Sequence, residues 1–263
     1  NKSYSTVILL AAEHKDNVTP IQKYYDVNVD GTKNVLNQME NYNINNLIFT
    51  SSVAVYGLNK NNPNEDHIKE PFNHYGKSKL EAEKIIFNWY KKNKRNRSVT
   101  VIRPSVIFGE NNRGNVFKLF KQIESGKFLM IGSGENKKSM AYVKNVVSFI
   151  KKCTFNRKPG HEVYNYTDYP DLSMKELFII IKNNFNKKFL NISIPFKIAL
   201  LIGYIFDFIS FITKRKLEIS SIRIKKFSSV TQFDSTKVHK VFKAPYTLTD
   251  GLNNTLNYEF KTH

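Results

Sequence analysis

"NLIFTSSVAVYG", Asn46 to Gly57, decides how the rest of the chain is read. Its first half is apolar without alternation and of strand length, the pattern of a strand covered on both faces. Its second half breaks into Ser51 and Ser52, so polar groups gather where the strand ends. Two other runs share this form: "STVILLAA" (Ser5 to Ala12) and "SVTVIRPSVIFG" (Ser98 to Gly109). Between them lie the helical patterns "PIQKYYDVNVDGTKNVLNQMENY" (Pro20 to Tyr42) and "SKLEAEKIIFNWYKKN" (Ser78 to Asn93). Apolar strands separated by crossover helices describe an α/β protein with a doubly wound, parallel Rossmann-type sheet. Ligands of such sheets bind beyond the carboxyl ends of the strands, here at "AAEH", "SSVAVYG" and "RPSVIFG".

Past Asn111 the alternation fades into helices and short strands. The expected division is therefore a sheet domain over 1–110 and a smaller substrate lobe over 111–263. The chain enters its first strand directly after Asn1, and the expectation is a sheet lacking its first βαβ unit. With one cysteine, Cys153, and six histidines scattered at 14, 67, 74, 161, 239 and 263, no disulfide framework and no metal site are expected. The 41 Lys and Arg against 22 Asp and Glu give a net charge of +19, which favours phosphorylated substrates or an anionic membrane face. No basic segment interleaved with aromatics is present, so nucleic acid is not an expected partner.

In "PFNHYGKSKLEAEK" (Pro71 to Lys84), Tyr75 and Lys79 stand at i and i+4 near the start of a helix. That spacing puts both side chains on one helix face. A neighbouring ammonium favours the phenolate, so Lys79 is expected to lower the Tyr75 pKa and make the phenol a usable base. Ser52, at the end of the preceding strand, supplies a second hydroxyl to hold a substrate oxygen. Tyr56/Lys60 and Tyr90/Lys94 repeat the spacing. Tyr56 runs into a polar loop, and Tyr90 lies near a helix C-terminus, so context selects Tyr75.

In order along the chain, "VILLAA", "YYDVNVDGTKNVL", "FTSSVAVYG", "YGKSK", "RPSVIFG", "SMAYVKNVV" and "YTLTDGLNNTL" resemble the extended short-chain dehydrogenase/reductases, within them the NAD-dependent sugar epimerases and dehydratases. The resemblance implies catalysis by Ser52, Tyr75 and Lys79, with Lys79 also on the nicotinamide ribose. It implies an NAD site, with NADP as the alternative, lined by Ala11, Ala12, Asn28, Tyr75, Lys79 and Pro104. For the substrate it implies His14, Ser52, Lys138 and Arg223, the two cations serving a diphosphate. The family's glycine fingerprint and the residue selecting NAD or NADP are expected upstream of Asn1. Val53 and Ala54 follow Ser52 where dehydratases carry an acidic pair, which demotes dehydration. Val106 stands where many UDP-galactose 4-epimerases have an Asn.

"IPFKIALLIGYIFDFISFITKRK" reads as a helix over 196–213, apolar but for a few residues and flanked by cations. Its length suits a helix lying in a membrane interface better than one spanning it, and a buried helix of the small lobe is the competing reading. This pattern resembles the bacterial epimerases of N-acetylhexosamine diphospho-undecaprenol. The resemblance implies C4 epimerisation of GlcNAc and GalNAc on a lipid carrier during surface-polysaccharide assembly, at the cytoplasmic face of the membrane, with a homodimer as an option. The rivals are a soluble UDP-sugar 4-epimerase, an NADP-dependent ketosugar reductase, and a catalytically dead homologue.

Overall fold

A computed structural model describes residues 4–15, 18–58, 60–126, 128–155, 158–185, 192–214, 217 and 220–260. The cationic flank expected at 215–216 lies outside them. The elements run β1 (Thr6–Leu9), α1 (Gln22–Tyr25), a π-helical turn (Asp26–Asp30), α2 (Gly31–Asn41), β2 (Asn46–Thr50), a 3-10 turn (Val53–Tyr56), α3 (His74–Lys92), β3 (Ser98–Pro104) and β4 (Val106–Phe108). There follow α4 (Asn115–Glu124), β5 (Met130–Ile131), β6 (Lys137–Tyr142), α5 (Val143–Phe155), β7 (Gly160–Tyr166) and β8 (Asp168–Ser173). The chain ends through α6 (Met174–Asn183), β9 (Ser193–Ile194), α7 (Phe196–Thr213), α8 (Ser221–Ser228), α9 (Thr236–Val241) and α10 (Leu248–Phe260).

Two compact units are present, and they interleave in sequence. The first comprises Asn1–Ile107, Val143–Asp168 and Phe233–Pro245; the second comprises Phe108–Tyr142, Tyr169–Gln232 and Tyr246–His263. This corrects the expected split near residue 110. The segment 143–168 returns to the sheet because α5 and β7 form another crossover and strand, which the half-polar "GHEVYNY" of β7 conceals.

The first unit is built on a parallel sheet of order β1-β2-β3-β7. All residues of β3 are buried, the polar Ser98, Thr100 and Arg103 included, as its place between β2 and β7 requires. One face carries Leu9, Leu47, Phe49, Val99 and Val101. Against it pack Leu36 and Met39 of α2 and Ala82, Ile86 and Trp89 of α3, spaced so that each helix presents one stripe. Ile86 is wholly buried there, so trimming it to Ala costs about 2–5 kcal/mol. The other face is covered by α5, whose Phe149 ring lies 5.4 Å from both Tyr164 and Tyr166 of β7.

In the second unit, α6 starts on a capping box in which Ser173 and Glu176 satisfy each other's backbone donors. Its buried residues Met174, Leu177 and Ile181 form one stripe. β5 and β9 pair in parallel, Met130 with Ser193 and Ile131 with Ile194. From that ribbon the chain turns at Pro195 into α7. α7 matches the helix expected over 196–213 but is not a buried one, since only Ala199 and Gly203 are buried. A Cβ on Gly203 would sit 2.8 Å from the Ser221 Cα, so that glycine lets α8 pack against α7.

Candidate active site

Ser52 follows β2 in extended conformation and caps the 3-10 turn, its hydroxyl accepting from the Ala54 N–H at 3.1 Å. α3 begins beside this turn. Asn73 caps the helix by accepting from the Gly76 N–H at 2.8 Å. Gly76 is needed for proximity: a Cβ there would lie 2.5 Å from the Ala54 carbonyl oxygen. With the helix start seated on the turn, the buried Tyr75 phenol comes near enough to the Ser52 hydroxyl for that hydroxyl to pull its pKa down.

Lys79 lies one turn further along α3 and is only 1% exposed. Its ammonium rests over the Phe49 ring, 4.1 Å from the centroid, and no hydrogen-bond acceptor engages it among the described residues. Burial lowers its pKa from the ordinary lysine value to about 8, against the pull of the Glu83 carboxylate one turn on. Burial also raises the Tyr75 pKa, with Ser52 partly offsetting it. The expectation that Lys79 lowers the phenol is thus corrected: burial raises it, and Ser52 is the group that works the other way.

Asn28 is presented by the π-helical turn and is 2% exposed. Its carboxamide accepts from the Glu13 N–H at 2.8 Å and donates to the Glu13 carbonyl at 3.0 Å. It also donates to the Ser78 hydroxyl at 2.9 Å. Asn28 thereby fixes the backbone just after Ala11 and Ala12, where β1 ends, and ties it to the catalytic helix. Pro104 ends β3, which pairs with β2 in register. His14 is exposed on the loop after β1.

Two buried hydroxyls without a protein partner, Ser51 and Ser105, follow the carboxyl ends of β2 and β3. Sequence reasoning gave neither of them a role in the site. Uncommitted buried donors, together with the Lys79 ammonium, fit a polar ligand such as the ribose of a dinucleotide laid across these strand ends.

Tyr56 is not a second proton-transfer residue. Its hydroxyl donates to Asn165 Oδ1 and accepts from Arg103 Nη1, both at 2.7 Å, and burial pushes its pKa up to about 12. Arg103 in turn forks onto Glu83 at 2.9 and 2.6 Å. Lys60 pairs with Glu70 instead. Tyr90 stacks on Phe87.

Lys138 and Arg223 belong to the second unit. The Lys138 ammonium donates to the carbonyls of Lys226 at 3.2 Å and Ser229 at 2.5 Å, at the C-terminus of α8. Lys138 thus closes a helix end, a use that its spacing before "SMAYV" could not reveal. Arg223 is exposed on α8.

The sequence profile of the NAD dependent epimerase/dehydratase family matches residues 1–166. The chain is 57% identical over 258 residues to the N-acetyl-alpha-D-glucosaminyl-diphospho-ditrans,octacis-undecaprenol 4-epimerase of Escherichia coli O157:H7, covering 98% of this chain and 78% of that protein. It is 28% identical over 243 residues to the UDP-glucose 4-epimerase of Vibrio cholerae, covering 90% and 70%. Among solved structures, the NAD complex of UDP-glucuronic acid 4-epimerase from Bacillus cereus superposes with a TM-score of 0.73 at 18% identity, covering 97% of this chain and 74% of that one.

Proposed function

The chain belongs to the NAD dependent epimerase/dehydratase family, and on that premise we propose that it inverts C4 of an N-acetylhexosamine carried on undecaprenyl diphosphate, interconverting the GlcNAc and GalNAc forms. The observation that carries the chemistry is the approach of the Tyr75 phenol to the Ser52 hydroxyl, with Lys79 one helical turn along the same face. NAD, when bound, supplies hydride acceptance and return at the sugar carbon. The Ala11–Ala12 turn, Asn28, Lys79 and Pro104 would hold it, with Ser51 and Ser105 as further donors.

Ser52 orients the C4 oxygen, and Tyr75 exchanges a proton with it. In the reducing half-reaction the neutral phenol donates its proton to the ketosugar oxygen. That donation leaves a phenolate, which the Lys79 ammonium on the same helix face favours, and in the oxidising half the phenolate takes the proton of the C4 hydroxyl. Rebinding of the ketosugar with its other face to the cofactor inverts the centre with no net redox change.

The lipid-linked substrate is supported by α7. This helix is long and apolar enough to cross a membrane by length and composition, with a mean hydropathy of 1.8. At about 1.5 Å per residue it would reach about 27 Å, just short of a hydrocarbon core of about 30 Å. Leu201, Phe208 and Phe211 are 61%, 64% and 81% exposed, and Lys197, Lys214, Lys225 and Lys226 are exposed around them. Such a face suits partial insertion into the anionic inner leaflet of the bacterial membrane, where a prenyl-linked sugar resides.

The test is to incubate the protein with NAD and GlcNAc-diphospho-undecaprenol, release the sugar by acid and separate the hexosamines by chromatography. GalNAc is expected among the products. Turnover confined to UDP-GlcNAc overturns the lipid-linked reading.

A further inference from the structure

α6 carries a second stripe besides its buried one. Lys175, Phe178, Ile179 and Lys182 follow at i, i+3, i+4 and i+7, so one face reads cation, ring, alkyl, cation. That face lines a groove of about 230 Å³, closed by Phe128 and by Ile192 and Ser193 at the β9 end of the β5–β9 ribbon. The Phe128 and Phe178 rings stack at 5.2 Å to form its apolar wall. Ile179 and Ile192 stay 45% and 46% exposed, so apolar surface faces water inside a concave site. The volume is below the roughly 300–1,000 Å³ of pockets that enclose a whole small molecule, which suits a slender chain rather than a sugar.

We propose that this groove is a subsite for the isoprenoid units nearest the diphosphate of the lipid carrier. The inference rests on the lipid-linked reading of the substrate given above. Two features on the same unit favour a prenyl chain as the occupant. β9 passes through Pro195 directly into α7, so the strand that closes the groove is continuous in the chain with the exposed apolar helix. Lys175, which pairs with Glu135 at 3.7 Å, and Lys182 line the groove, so cationic side chains stand beside its apolar wall, the combination that the junction of an anionic diphosphate and an apolar tail calls for.

Photolabelling of the whole protein with a diazirine-bearing polyprenyl diphosphate in mixed micelles, followed by peptide mapping, tests the site directly. Labels are expected at 178–179 and 192–193, and reduced at least severalfold in an Ile179→Glu/Ile192→Glu variant. Because both side chains are half-exposed, the variant should melt with the wild type. Its KM for GlcNAc-diphospho-undecaprenol should rise about tenfold, as expected for losing one or two buried methylene contacts, with the rate on a short-chain analogue unchanged. Labelling confined to α7, unchanged labelling in the variant, or displacement of the probe by diacyl phospholipid but not by polyprenyl diphosphate overturns the proposal. Wild-type protein that labels in the groove yet leaves the lipid-linked sugar unconverted would defeat the functional reading and leave the prenyl site standing.

Discussion

Asn28 donates to the Ser78 hydroxyl at 2.9 Å, and that hydroxyl donates to the Tyr75 carbonyl at 2.9 Å. One carboxamide thus joins the loop after β1 to the backbone of the phenol-bearing residue, across fifty positions of sequence. The arrangement holds Tyr75 at the start of α3, where helix ends fray most readily.

Ser78→Ala breaks this chain of bonds while keeping a small, helix-compatible side chain. The expected result is a fall in kcat of about ten- to a hundredfold with KM nearly unchanged, the signature of a displaced reacting group. Asn28→Ala goes further, because it also strips the Glu13 N–H and C=O of their partner, and each buried backbone group so exposed costs about 1–3 kcal/mol. Steady-state kinetics with a thermal melt checks both; a Ser78→Ala enzyme with wild-type kcat would show that the link positions nothing.

Lys79 is a charge held at a cost to stability. Its pKa of about 8 lies below the ordinary lysine value, so between about pH 8 and 10.5 the unfolded chain binds a proton that the folded chain has lost. Stability contributed by this group therefore rises with pH across that window, and the penalty is present in full below it. Lys79→Met should raise the melting temperature at pH 7 by several degrees, flatten the rise between pH 8 and 10.5, and abolish epimerisation. Lys138, also lowered to about 8, contributes the same sign, so the decisive quantity is the difference between wild type and variant. A variant that melts lower at pH 7 would mean that the contact with the Phe49 ring outweighs desolvation.

The Arg103–Glu83 pair is 4% and 9% exposed in its side chains and anchors Tyr56, which in turn holds Asn165. Removing either charge alone strands the other in a buried site, at about 3–5 kcal/mol. Glu83→Gln and Arg103→Met should each lower the unfolding free energy read from urea titration by that amount, whereas the double variant Glu83→Leu/Arg103→Met should recover much of it. A double variant as unstable as the sum of the singles would place the loss in packing rather than in stranded charge.

Much of the site was legible because its key contacts are local. Tyr75 and Lys79 are one turn apart, and Ser52 ends an unmistakable strand, so pattern alone placed them. The Asn28 position was legible, but its partners Glu13 and Ser78 were not, since hydrogen bonds over long sequence separations leave no periodic trace. The direction of the Tyr75 shift was misjudged because sequence shows that a lysine stands four residues on, not that the phenol itself is buried. Interleaving of the two units was hidden by β7, where Asn165 and Tyr166 are buried through hydrogen bonds and ring packing rather than as a plain apolar run.

Lys138 offers a clean separation of structural from binding roles. If its work is to close α8, Lys138→Met should lower the melting temperature at about pH 10.5, where burial no longer penalises the amine and only the loss of two donors to carbonyls remains, and leave KM for the diphospho-sugar unchanged. A rise in KM without loss of stability would return Lys138 to the substrate.

The α7 face makes the most exposed claim on environment. Phe208 and Phe211 sit toward the C-terminal half of the helix, where Lys214 adopts a left-handed cap and α8 brings Ile222 and its cations alongside. Apolar insertion and electrostatic attraction differ in their response to salt, because at about 1 M ionic strength the Debye length falls to about 3 Å and only the electrostatic part is screened. Wild-type protein should therefore co-sediment with vesicles rich in anionic lipid and be released only partly by such salt. Phe208→Asp/Phe211→Asp adds two charges at the inserted face without touching Ala199 or Gly203, the helix's buried contacts. That variant should keep its melting temperature and its rate on a short-chain substrate, yet wash off vesicles completely at high salt. Complete salt release of the wild type, or equal retention of the two proteins, would mean that charge alone brings the enzyme to the surface and that α7 is covered by something other than lipid.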